Sequence, residues 1–366
     1  MSFKILIDSK EFKDNLKKDL LSAKKKIHIQ TLSFESDSVG DFLSEILIQK
    51  KDIEKKVITD YVYSNYILND RFIYFPKNLI DKSLRRLKKD TKMMYERLKK
   101  EGVLLKHVNK PGFLFLGFAA RNHKKIIIID NEIAYIGGIN FSEHNFDWHD
   151  LMVRIENIDI AKFLEQDFDK TWDGENQLIN KQFEGVDILI MDGKNNEKLF
   201  AKIFNIIDKA KKSIFIESPY FSFPFYEPLE RAVKRGVRVF MIVPETNNWL
   251  LYDKYTNWEI QKSKIKRVFY PNRMNHLKAI LIDNETLVLG SANFDYCSTK
   301  MHQEILAVFN DPNIIKDFKE KIEKPDTAMS IDSKEVKVYK SRPFAVLQMK
   351  GALIALEYLY RKFHRD

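Results

Sequence analysis

The feature of this sequence that most restricts its fold is a signature that occurs twice. Each copy has a histidine, a lysine two residues later and an aspartate five residues after the lysine: His123, Lys125 and Asp130, then His276, Lys278 and Asp283. The second copy follows the first at a constant offset of 153 residues (276 minus 123). Each copy borders an apolar run of the kind that forms strands. A repeat in one register indicates that the chain contains two similar halves.

The residues of the first copy predict two adjacent strands. Side chains alternate along a strand, so His123 and Lys125 are expected on one face. The four isoleucines at 126–129 are typical of a strand that is buried on both faces. Asp130 favours a turn, and residues 133–136 suit the strand that follows.

Glycines and an asparagine complete each copy. Glycines 137 and 138 allow another backbone to approach closely, and Asn140 places an amide near the strand end. Asn293 is its counterpart in the second copy. An imidazole, an ammonium and an amide together provide a nucleophile or acid and two anion ligands. This is the set of groups that a phosphoryl group requires.

Helices and strands alternate along the chain, which predicts an α/β fold of two similar α/β/α halves, each a mixed β-sheet flanked by helices. The halves are expected at 1–190 and 191–366, and the second is expected to include a helix at 248–263 and to end in a docked helix. Residues 23–27 resemble residues 210–214 at an offset of 187. The first half therefore carries 34 extra residues (187 minus 153), near 75–108. Two half-sites can serve one reaction only if they face each other, so the active site is expected at the interface between the halves.

The extra segment contains a basic amphipathic helix. Residues 77–101 include ten Lys or Arg and four Asp or Glu. Apolar residues recur at helical spacing: Ile80, Leu84, Leu87, Met94 and Leu98. Two interpretations remain open, a helix packed on its own domain with a solvated basic face, and a helix on a membrane surface. The apolar run 113–118 that follows suits either a buried strand or an apolar lip for acyl chains.

Composition restricts the partners and the compartment. The net charge of +10 and the pI near 9.2 favour anionic partners, either nucleic acid or an anionic membrane surface. A single cysteine, Cys297, rules out an intrachain disulfide framework and fits a reducing compartment. The first residues are charged too early for a signal peptide, and no apolar run reaches the roughly 20 residues that span a bilayer. The sequence thus predicts a soluble or peripheral protein.

The repeated signature and its flanking motifs resemble the phospholipase D superfamily. The paired His-x-Lys and Asp residues are specific for that superfamily. The flanking motifs resemble bacterial cardiolipin synthases: Arg121-Asn122, Trp148-His149-Asp150, Ser218-Pro219-Tyr220-Phe221, Arg235-Gly236-Val237 and Gly290-Ser291-Ala292-Asn293. The similarity covers residues from about 12 to about 310. Two features depart from the typical synthase, namely that no N-terminal membrane-spanning helix is present and that Cys297 stands where the family often has arginine.

The resemblance implies a mechanism and a set of catalytic residues. One histidine, by family likeness His123, attacks the phosphodiester, the other protonates the departing alcohol, and a phosphohistidine forms. In the family, acids at the positions of Asp150 and Glu304 hydrogen-bond the histidines, which assigns Asp150 to His123 and Glu304 to His276. The two signature aspartates are expected to hold the fold. The full catalytic set is His123, Lys125, Asp130, Asn140, Asp150, His276, Lys278, Asp283, Asn293 and Glu304. No cofactor or metal ion is expected, because the lysines supply the charge.

Several functions share this machinery. The first is a cardiolipin synthase-like phosphatidyltransferase that condenses two phosphatidylglycerols to cardiolipin and glycerol. The alternatives are a phospholipase D-type hydrolase with water as acceptor, a nuclease of the same superfamily and a non-catalytic basic scaffold. The intact duplicated residues disfavour the scaffold, and small superfamily nucleases usually carry one signature and dimerise. The expected partners are anionic phospholipids on the inner face of the membrane, reached from the cytoplasm by a monomeric, peripheral protein.

Overall fold

The computed structural model describes residues 2–112, 115–248, 255–256, 264–332 and 343–363. The chain forms two compact units. Unit 1 contains Met1–Asp147 and Leu151–Gln177, and unit 2 contains Trp148–Asp150 and Leu178–Asp366. The boundary predicted after residue 190 therefore lies instead after Gln177. The reason is that the two strands between residues 179 and 192 pair with the sheet of unit 2.

Unit 1 is built on a mixed sheet. Its strands are β1 (Ser2–Ile7), β2 (Lys26–Thr31), β3 (Glu54–Asp60), β4 (Ile67–Leu68), β5 (Arg71–Phe72), β6 (Leu104–Val108), β7 (Ile126–Ile129), β8 (Ile133–Gly137) and β9 (Leu151–Glu156). Its helices are α1 (Asp8–Ser22), α2 (Ser38–Gln49), α3 (Tyr61–Asn65), α4 (Pro76–Leu79), α5 (Lys82–Lys100), α6 (Glu143–Phe146) and α7 (Ile158–Asp173). The main sheet has the order β1-β9-β8-β7-β2-β3-β6, and β4 and β5 form a separate hairpin.

Unit 2 repeats this plan. Its strands are β10 (Ile179–Phe183), β11 (Val186–Asp192), β12 (Ser213–Glu217), β13 (Arg238–Pro244), β14 (Lys266–Tyr270), β15 (Ala279–Ile282), β16 (Thr286–Gly290), β17 (Gln303–Phe309) and β18 (Ile331–Asp332). Its helices are α8 (Glu197–Lys209), α9 (Tyr226–Lys234), α10 (Tyr296–Lys300), α11 (Pro312–Phe318), a π-helical turn (Lys319–Glu323), α12 (Lys324–Met329) and α13 (Pro343–Phe363). The sheet has the order β10-β11-β17-β16-β15-β12-β13-β14-β18.

The two sheets share one topology. In unit 1, β2, β3 and β6 are parallel and the other neighbours are antiparallel. In unit 2, β12, β13 and β14 are likewise parallel and occupy the corresponding positions. The expected fold of two similar α/β/α halves, each with a mixed sheet, is confirmed.

The repeated signature lies on equivalent strands of the two sheets. The four isoleucines form β7 and are all buried, as predicted. His123 and Lys125 lie just before β7 rather than in it. The glycines that follow permit close strand packing, because a Cβ on Gly137 would come within 2.4 Å of the Leu151 carbonyl oxygen. A Cβ on Gly290 would likewise come within 2.3 Å of the Ile305 carbonyl oxygen.

The extra segment of unit 1 forms α4, α5 and β6. Helix α5 buries Leu84, Met94 and Leu98 against its own unit, which confirms the interpretation of the apolar stripe as a packing face. Ile80 precedes the helix and is exposed. Within the predicted apolar run, residues 113–114 lie outside the described residues, and residues 115–118 form turns rather than a strand.

The end of the described chain packs on unit 2. The Tyr296 hydroxyl donates a hydrogen bond to Glu357 of α13, and the Lys350 ammonium lies 5.0 Å from the centre of the Phe223 ring. Most of the helix predicted at 248–263 lies outside the described residues. Among the helices in the described ranges, none combines the length and the apolar character that crossing a membrane requires.

Candidate active site

In unit 1, the His-x-Lys pair lies in the segment that leads into β7. His123 and Lys125 are both buried, although both are polar. The Lys125 ammonium donates a hydrogen bond to the backbone carbonyl of His123, with a length of 2.9 Å. This bond keeps the cation next to the histidine and restricts the conformations that the long lysine side chain can adopt.

The two residues before His123 anchor this segment to the sheet. The Arg121 guanidinium donates to Asp60 Oδ1 at 2.7 Å, and the Asn122 N–H donates to Asp60 Oδ2 at 2.9 Å. Gln30 of β2 also donates to the Asn122 side chain, at 2.9 Å. Because these groups are buried, the bonds between them hold the backbone of His123 in one position.

Asn140 and Asn293 each offer a buried acceptor. The Asn140 amide nitrogen donates to Asn145 Oδ1 at 2.9 Å. The Oδ1 atoms of Asn140 and Asn293 are buried and accept no hydrogen bond within the described part of the chain. A buried polar atom without a partner costs free energy. Both positions are therefore candidates for a polar contact with a ligand.

In unit 2, His276 is paired with a carboxylate. Asp150 Oδ2 lies 2.6 Å from His276 Nδ1, and both side chains are buried. An ionised carboxylate can only accept hydrogen bonds, so this contact places the ring proton on Nδ1 and the lone pair on Nε2. A histidine held in this tautomer can act as a nucleophile or as a general base through Nε2.

This pair corrects the assignment made from the sequence, which gave Asp150 to His123 and Glu304 to His276. The His149 N–H donates to the Met274 carbonyl at 2.8 Å, and the His276 N–H donates to the His149 carbonyl at 2.7 Å. These backbone bonds bring Asp150 to Nδ1 of His276, the position expected for Glu304. Spacing along the chain could not reveal this, because Trp148–Asp150 belongs to unit 2 although its neighbours on both sides belong to unit 1.

Lys278 is the buried cation of the second half-site. Its ammonium donates to the backbone carbonyl of His276 and lies 3.8 Å from Asp150 Oδ2. Burial lowers the pKa of Lys278 to about 8, although the charges of Asp150 and Glu304 oppose this shift. The ammonium is thus charged at neutral pH but loses its proton more readily than an exposed lysine does.

Glu304 holds the segment that carries Asn293. It is fully buried and accepts hydrogen bonds from the hydroxyls of Ser291 and Ser298, the latter at 2.8 Å. The Ser298 hydroxyl in turn accepts the N–H of Asn293 at 3.2 Å. Glu304 therefore stabilises the loop after β16 and fixes the position of the Asn293 amide.

Two aromatic residues beside His276 were missing from the predicted set. The ring centre of Trp148 lies 4.7 Å from that of His276, and the Tyr220 ring approaches it edge-on at 6.0 Å. Both belong to motifs that flank the signature, Trp-His-Asp and Ser-Pro-Tyr-Phe. Those motifs were the available signal, but the sequence did not show that they meet at one histidine.

The signature aspartates hold the fold, as their turn positions indicated. Asp130 accepts the backbone N–H groups of Lys24, Lys25 and Lys26 at 2.7–2.9 Å. Asp283 accepts those of residues 211, 212 and 213 at 2.7–2.9 Å. These bonds join each turn to the start of β2 or β12. Both aspartates, which the sequence placed in the catalytic set, are therefore left out of the proposed chemistry.

The structure also brings together histidines and carboxylates that are distant in sequence, which spacing alone did not reveal. One group is His28, Glu165 and Asp169 in unit 1, and the other is His149, Glu217 and Asp326 in unit 2. In each group the potential ligand atoms lie within 4.8 Å of one another. Neither group includes a residue of the repeated signature.

The group in unit 2 supports the backbone that carries Asp150. His149 Nε2 lies 2.8 Å from Asp326 Oδ2, and its ring stacks on Tyr270 with centres 4.6 Å apart. Burial, and next the charge of Asp326, raises the pKa of Glu217 well above its usual range. A protonated Glu217 beside Asp326 avoids two adjacent buried negative charges.

Two equivalent mixed sheets, each carrying a buried histidine, lysine and asparagine at the same point of the repeat, define a phospholipase D-like protein. The chain belongs to the family described as cardiolipin synthase, PLD-like domain, which matches residues 16–172 and 203–325. The resemblance to the phospholipase D superfamily and its cardiolipin synthases, predicted from the repeated signature and its flanking motifs, is thereby confirmed.

Individual relatives agree with this family. Cardiolipin synthase 1 of Staphylococcus aureus (strain COL) is 26% identical over 371 residues, covering 93% of this chain and 70% of that protein. A probable cardiolipin synthase of Bacillus subtilis (strain 168) is 26% identical over 341 residues, covering 86% of this chain and 64% of that protein. The fold is similar to the crystal structure of phosphatidylserine synthase from Haemophilus influenzae, with a TM-score of 0.69, 16% identity and coverage of 98% of this chain and 94% of that one.

Proposed function

We propose that this protein is a cardiolipin synthase-like phosphatidyltransferase that condenses two phosphatidylglycerols to cardiolipin and glycerol. The observation that carries the proposal is the buried arrangement of Asp150, His276 and Lys278, since it combines a histidine paired with a carboxylate and a cation for the phosphoryl group. Membership of the cardiolipin synthase family supports the choice of substrate.

The reaction proceeds in two displacements. In the first, His123 attacks phosphorus, a P–N bond forms and the P–O bond to glycerol breaks. His276 enters this step as an imidazolium beside Asp150 and gives its Nε2 proton to the leaving oxygen. In the second, His276 takes a proton from the hydroxyl of a second phosphatidylglycerol, whose oxygen attacks the phosphohistidine. The P–N bond breaks and cardiolipin leaves. Both histidines must act on the same phosphorus for this sequence to operate.

The other polar groups neutralise and orient the phosphoryl group. Lys125 and Lys278 compensate the negative charge that builds up on its non-bridging oxygens, and the side-chain N–H groups of Asn140 and Asn293 donate hydrogen bonds to the same oxygens. The Oδ1 atoms of both asparagines can accept a hydrogen bond from a hydroxyl of the headgroup. Asp150 stabilises the charged form of His276 when it receives a proton. Glu304 acts through Ser298 on the position of Asn293. No metal ion is assigned to the reaction.

The protein is proposed to act as a monomer on the cytoplasmic face of an anionic membrane. The net charge of +10 favours such a surface. Its phospholipid substrates lie in that surface, so the enzyme must reach a headgroup while its acyl chains remain in the bilayer.

The proposal is tested by expressing the protein in a bacterial host that lacks cardiolipin and measuring lipids by mass spectrometry. Cardiolipin should appear with the unaltered protein and not with the His276→Ala or His123→Ala variants. Accumulation of phosphatidic acid without cardiolipin would instead assign a hydrolase. If no lipid changes and the purified protein cleaves DNA, the phosphatidyltransferase proposal is wrong.

A further inference from the structure

A second concave site lies in unit 1, lined by residues outside the repeated signature. It is a cavity of about 690 Å³ between α5 and residues 64–79, which run from the end of α3 to the end of α4. Its walls contain Ser64, Tyr74 and Leu79 on one side and the side chains of one face of α5 on the other. His107 of β6 also contributes to the wall. None of these residues belongs to the proposed catalytic set.

The α5 wall is strongly basic. The side chains that line it recur at the spacing of one helix face and include Arg85, Lys88, Lys89, Lys92 and Lys99. Glu96 is the acidic residue among the lining side chains, and it already pairs with Lys99 at 3.1 Å. Burial lowers the pKa of His107 to about 4, and the charges of Lys99 and Lys110 add to this effect. The imidazole is therefore neutral at pH 7, and the positive charge of the cavity comes from α5.

The cations of this wall differ in how they are held. The Lys88 ammonium donates to the Tyr74 hydroxyl at 2.9 Å and lies 4.7 Å from the centre of the same ring. Arg85, Lys89 and Lys92 form no ion pair with the acidic residues of the described ranges. Three neighbouring positive charges without a carboxylate repel one another, and an anion in the cavity would relieve that repulsion.

An exposed apolar surface adjoins the basic wall. Phe75 is 53% exposed and Ile80 is 78% exposed, and both lie in the segment that enters α5. The exposed rings of Phe115 and Phe118 contact the same region, with Phe115 meeting Tyr66 at 5.0 Å between ring centres and Phe118 meeting Phe72 at 6.3 Å. Exposed apolar side chains that are contiguous are uncommon on soluble proteins and mark sites of interaction.

We infer that this cavity binds the phosphate of an anionic phospholipid in the membrane. The exposed apolar side chains of Phe72, Phe75, Leu79, Ile80, Phe115 and Phe118 then lie against the acyl chains. Cations in a concave wall beside exposed aromatic and aliphatic side chains match an amphiphile with a negative headgroup. A nucleic acid would use the cations but would leave Ile80 and Phe75 exposed to water. The inference rests on the proposed function only in that both require an anionic phospholipid surface.

The test measures vesicle binding separately from turnover. The His276→Ala protein is sedimented with vesicles of phosphatidylcholine that contain increasing fractions of phosphatidylglycerol. In this background, the three substitutions Arg85→Glu, Lys89→Glu and Lys92→Glu are compared with Lys10→Glu, Lys17→Glu and Lys18→Glu, which are exposed on α1. Both triple variants lower the net charge from +10 to +4 (10 minus 6). Thermal melting checks that both remain folded.

The cavity variant should lose about 100-fold or more in partition to anionic vesicles, since three surface cations each contribute about a factor of five. The α1 variant should lose much less, and binding of the starting protein should decrease with added salt. Phe75→Ser combined with Ile80→Ser should weaken vesicle binding and leave binding to DNA unchanged. This pair separates a lipid from a nucleic acid.

Several results would overturn the inference. Equal losses in the two triple variants would mean that net charge alone controls binding. Equal binding to vesicles of phosphatidylcholine alone, whose headgroup carries a phosphate but no net charge, would remove the requirement for an anionic lipid. If soluble glycerol phosphate stabilises the protein through these cations while vesicle binding is unaffected, the cavity serves a free phosphate compound. Loss of DNA binding alone in the cavity variant would assign a nucleic acid. Failure of the lipid analysis described above would leave this binding test unaffected.

Discussion

The contact between Asp150 and His276 leads to a quantitative prediction for Asp150→Asn. The carboxylate lies 2.6 Å from Nδ1 and both side chains are buried, so water cannot replace the lost bond. Loss of a hydrogen bond to a charged group costs about 1.5–3 kcal/mol. The asparagine amide can also donate to Nδ1, which would place the ring proton on Nε2, and a wrong tautomer of a catalytic histidine reduces kcat about 10,000-fold. We therefore expect kcat to fall about 1,000- to 10,000-fold, which corresponds to about 4–5.5 kcal/mol in activation free energy.

The assay combines turnover with a direct reading of the imidazole. Phosphatidylglycerol in detergent is the substrate, and the product is quantified by mass spectrometry. Two-dimensional ¹⁵N–¹H spectra of histidine side chains report which ring nitrogen carries the proton, and the His276 signal is assigned from its absence in a His276→Gln variant. The matched control is Asp147→Asn, the same chemical change at an exposed position three residues earlier. It should leave both turnover and the His276 spectrum unchanged.

Two outcomes would refute the reasoning. If Asp150→Asn retains more than a tenth of the activity, the carboxylate does not fix the tautomer of His276. If the substitution alters the spectrum of His123 and leaves that of His276 unchanged, the pairing first expected from the sequence would be restored. A collapse in melting temperature would not distinguish these possibilities, so the spectra are compared only for folded protein.

Three further predictions follow from the site and its supports. Because the charged form of Lys278 is required and its pKa is lowered to about 8, activity should decrease as the pH rises through about 8. Lys278→Arg should have lower overall activity but should no longer show this alkaline decrease in the pH–rate profile. An unchanged decrease would mean that another group causes it. Activity should survive dialysis against a strong chelator, and inactivation that one divalent ion reverses would contradict the metal-free mechanism. Asp283→Ala should lower the free energy of unfolding in urea by about 2–4 kcal/mol at pH 7 through loss of bonds to three backbone N–H groups. Those bonds lower the pKa of Asp283 in the folded state. The difference in unfolding free energy between the unaltered protein and Asp283→Ala should therefore be complete above the ordinary aspartate pKa of about 3.9 and vanish as the pH falls through the lower folded value. A difference that persists at pH 2 would count against this account.

Much of the fold followed from the sequence because the repeat is exact in spacing. The constant offset between His123 and His276 implied two equivalent strands, and the isoleucines at 126–129 identified one of them as buried. The periodic apolar residues of α5 indicated which face packs on the unit. These patterns are local, and strand alternation or helix periodicity is enough to interpret them.

The parts that could not be predicted depend on contacts between distant segments. The number of residues between Asp150 and a histidine says nothing about which histidine it meets, since the backbone bonds of His149 to residues 274 and 276 decide this. The domain boundary was placed too late for a similar reason. Residues 186–192 form β11, and their partner in the sheet of unit 2 is β17, more than 100 residues further along the chain. Strand β10 then pairs with β11.

The assignment of Trp148–Asp150 to unit 2 limits how the two halves of the chain can be separated or exchanged. A fragment that begins at Leu178 contains the sheet of unit 2 but lacks the carboxylate for His276. If that fragment is transferred into a related enzyme, the recipient still supplies residues 148–150 from its own first half. Those three residues must then pack against a fragment that comes from a different protein. The two units therefore cannot be exchanged independently of each other. A chimera must carry residues 148–150 together with the segment at 274–276 that binds them.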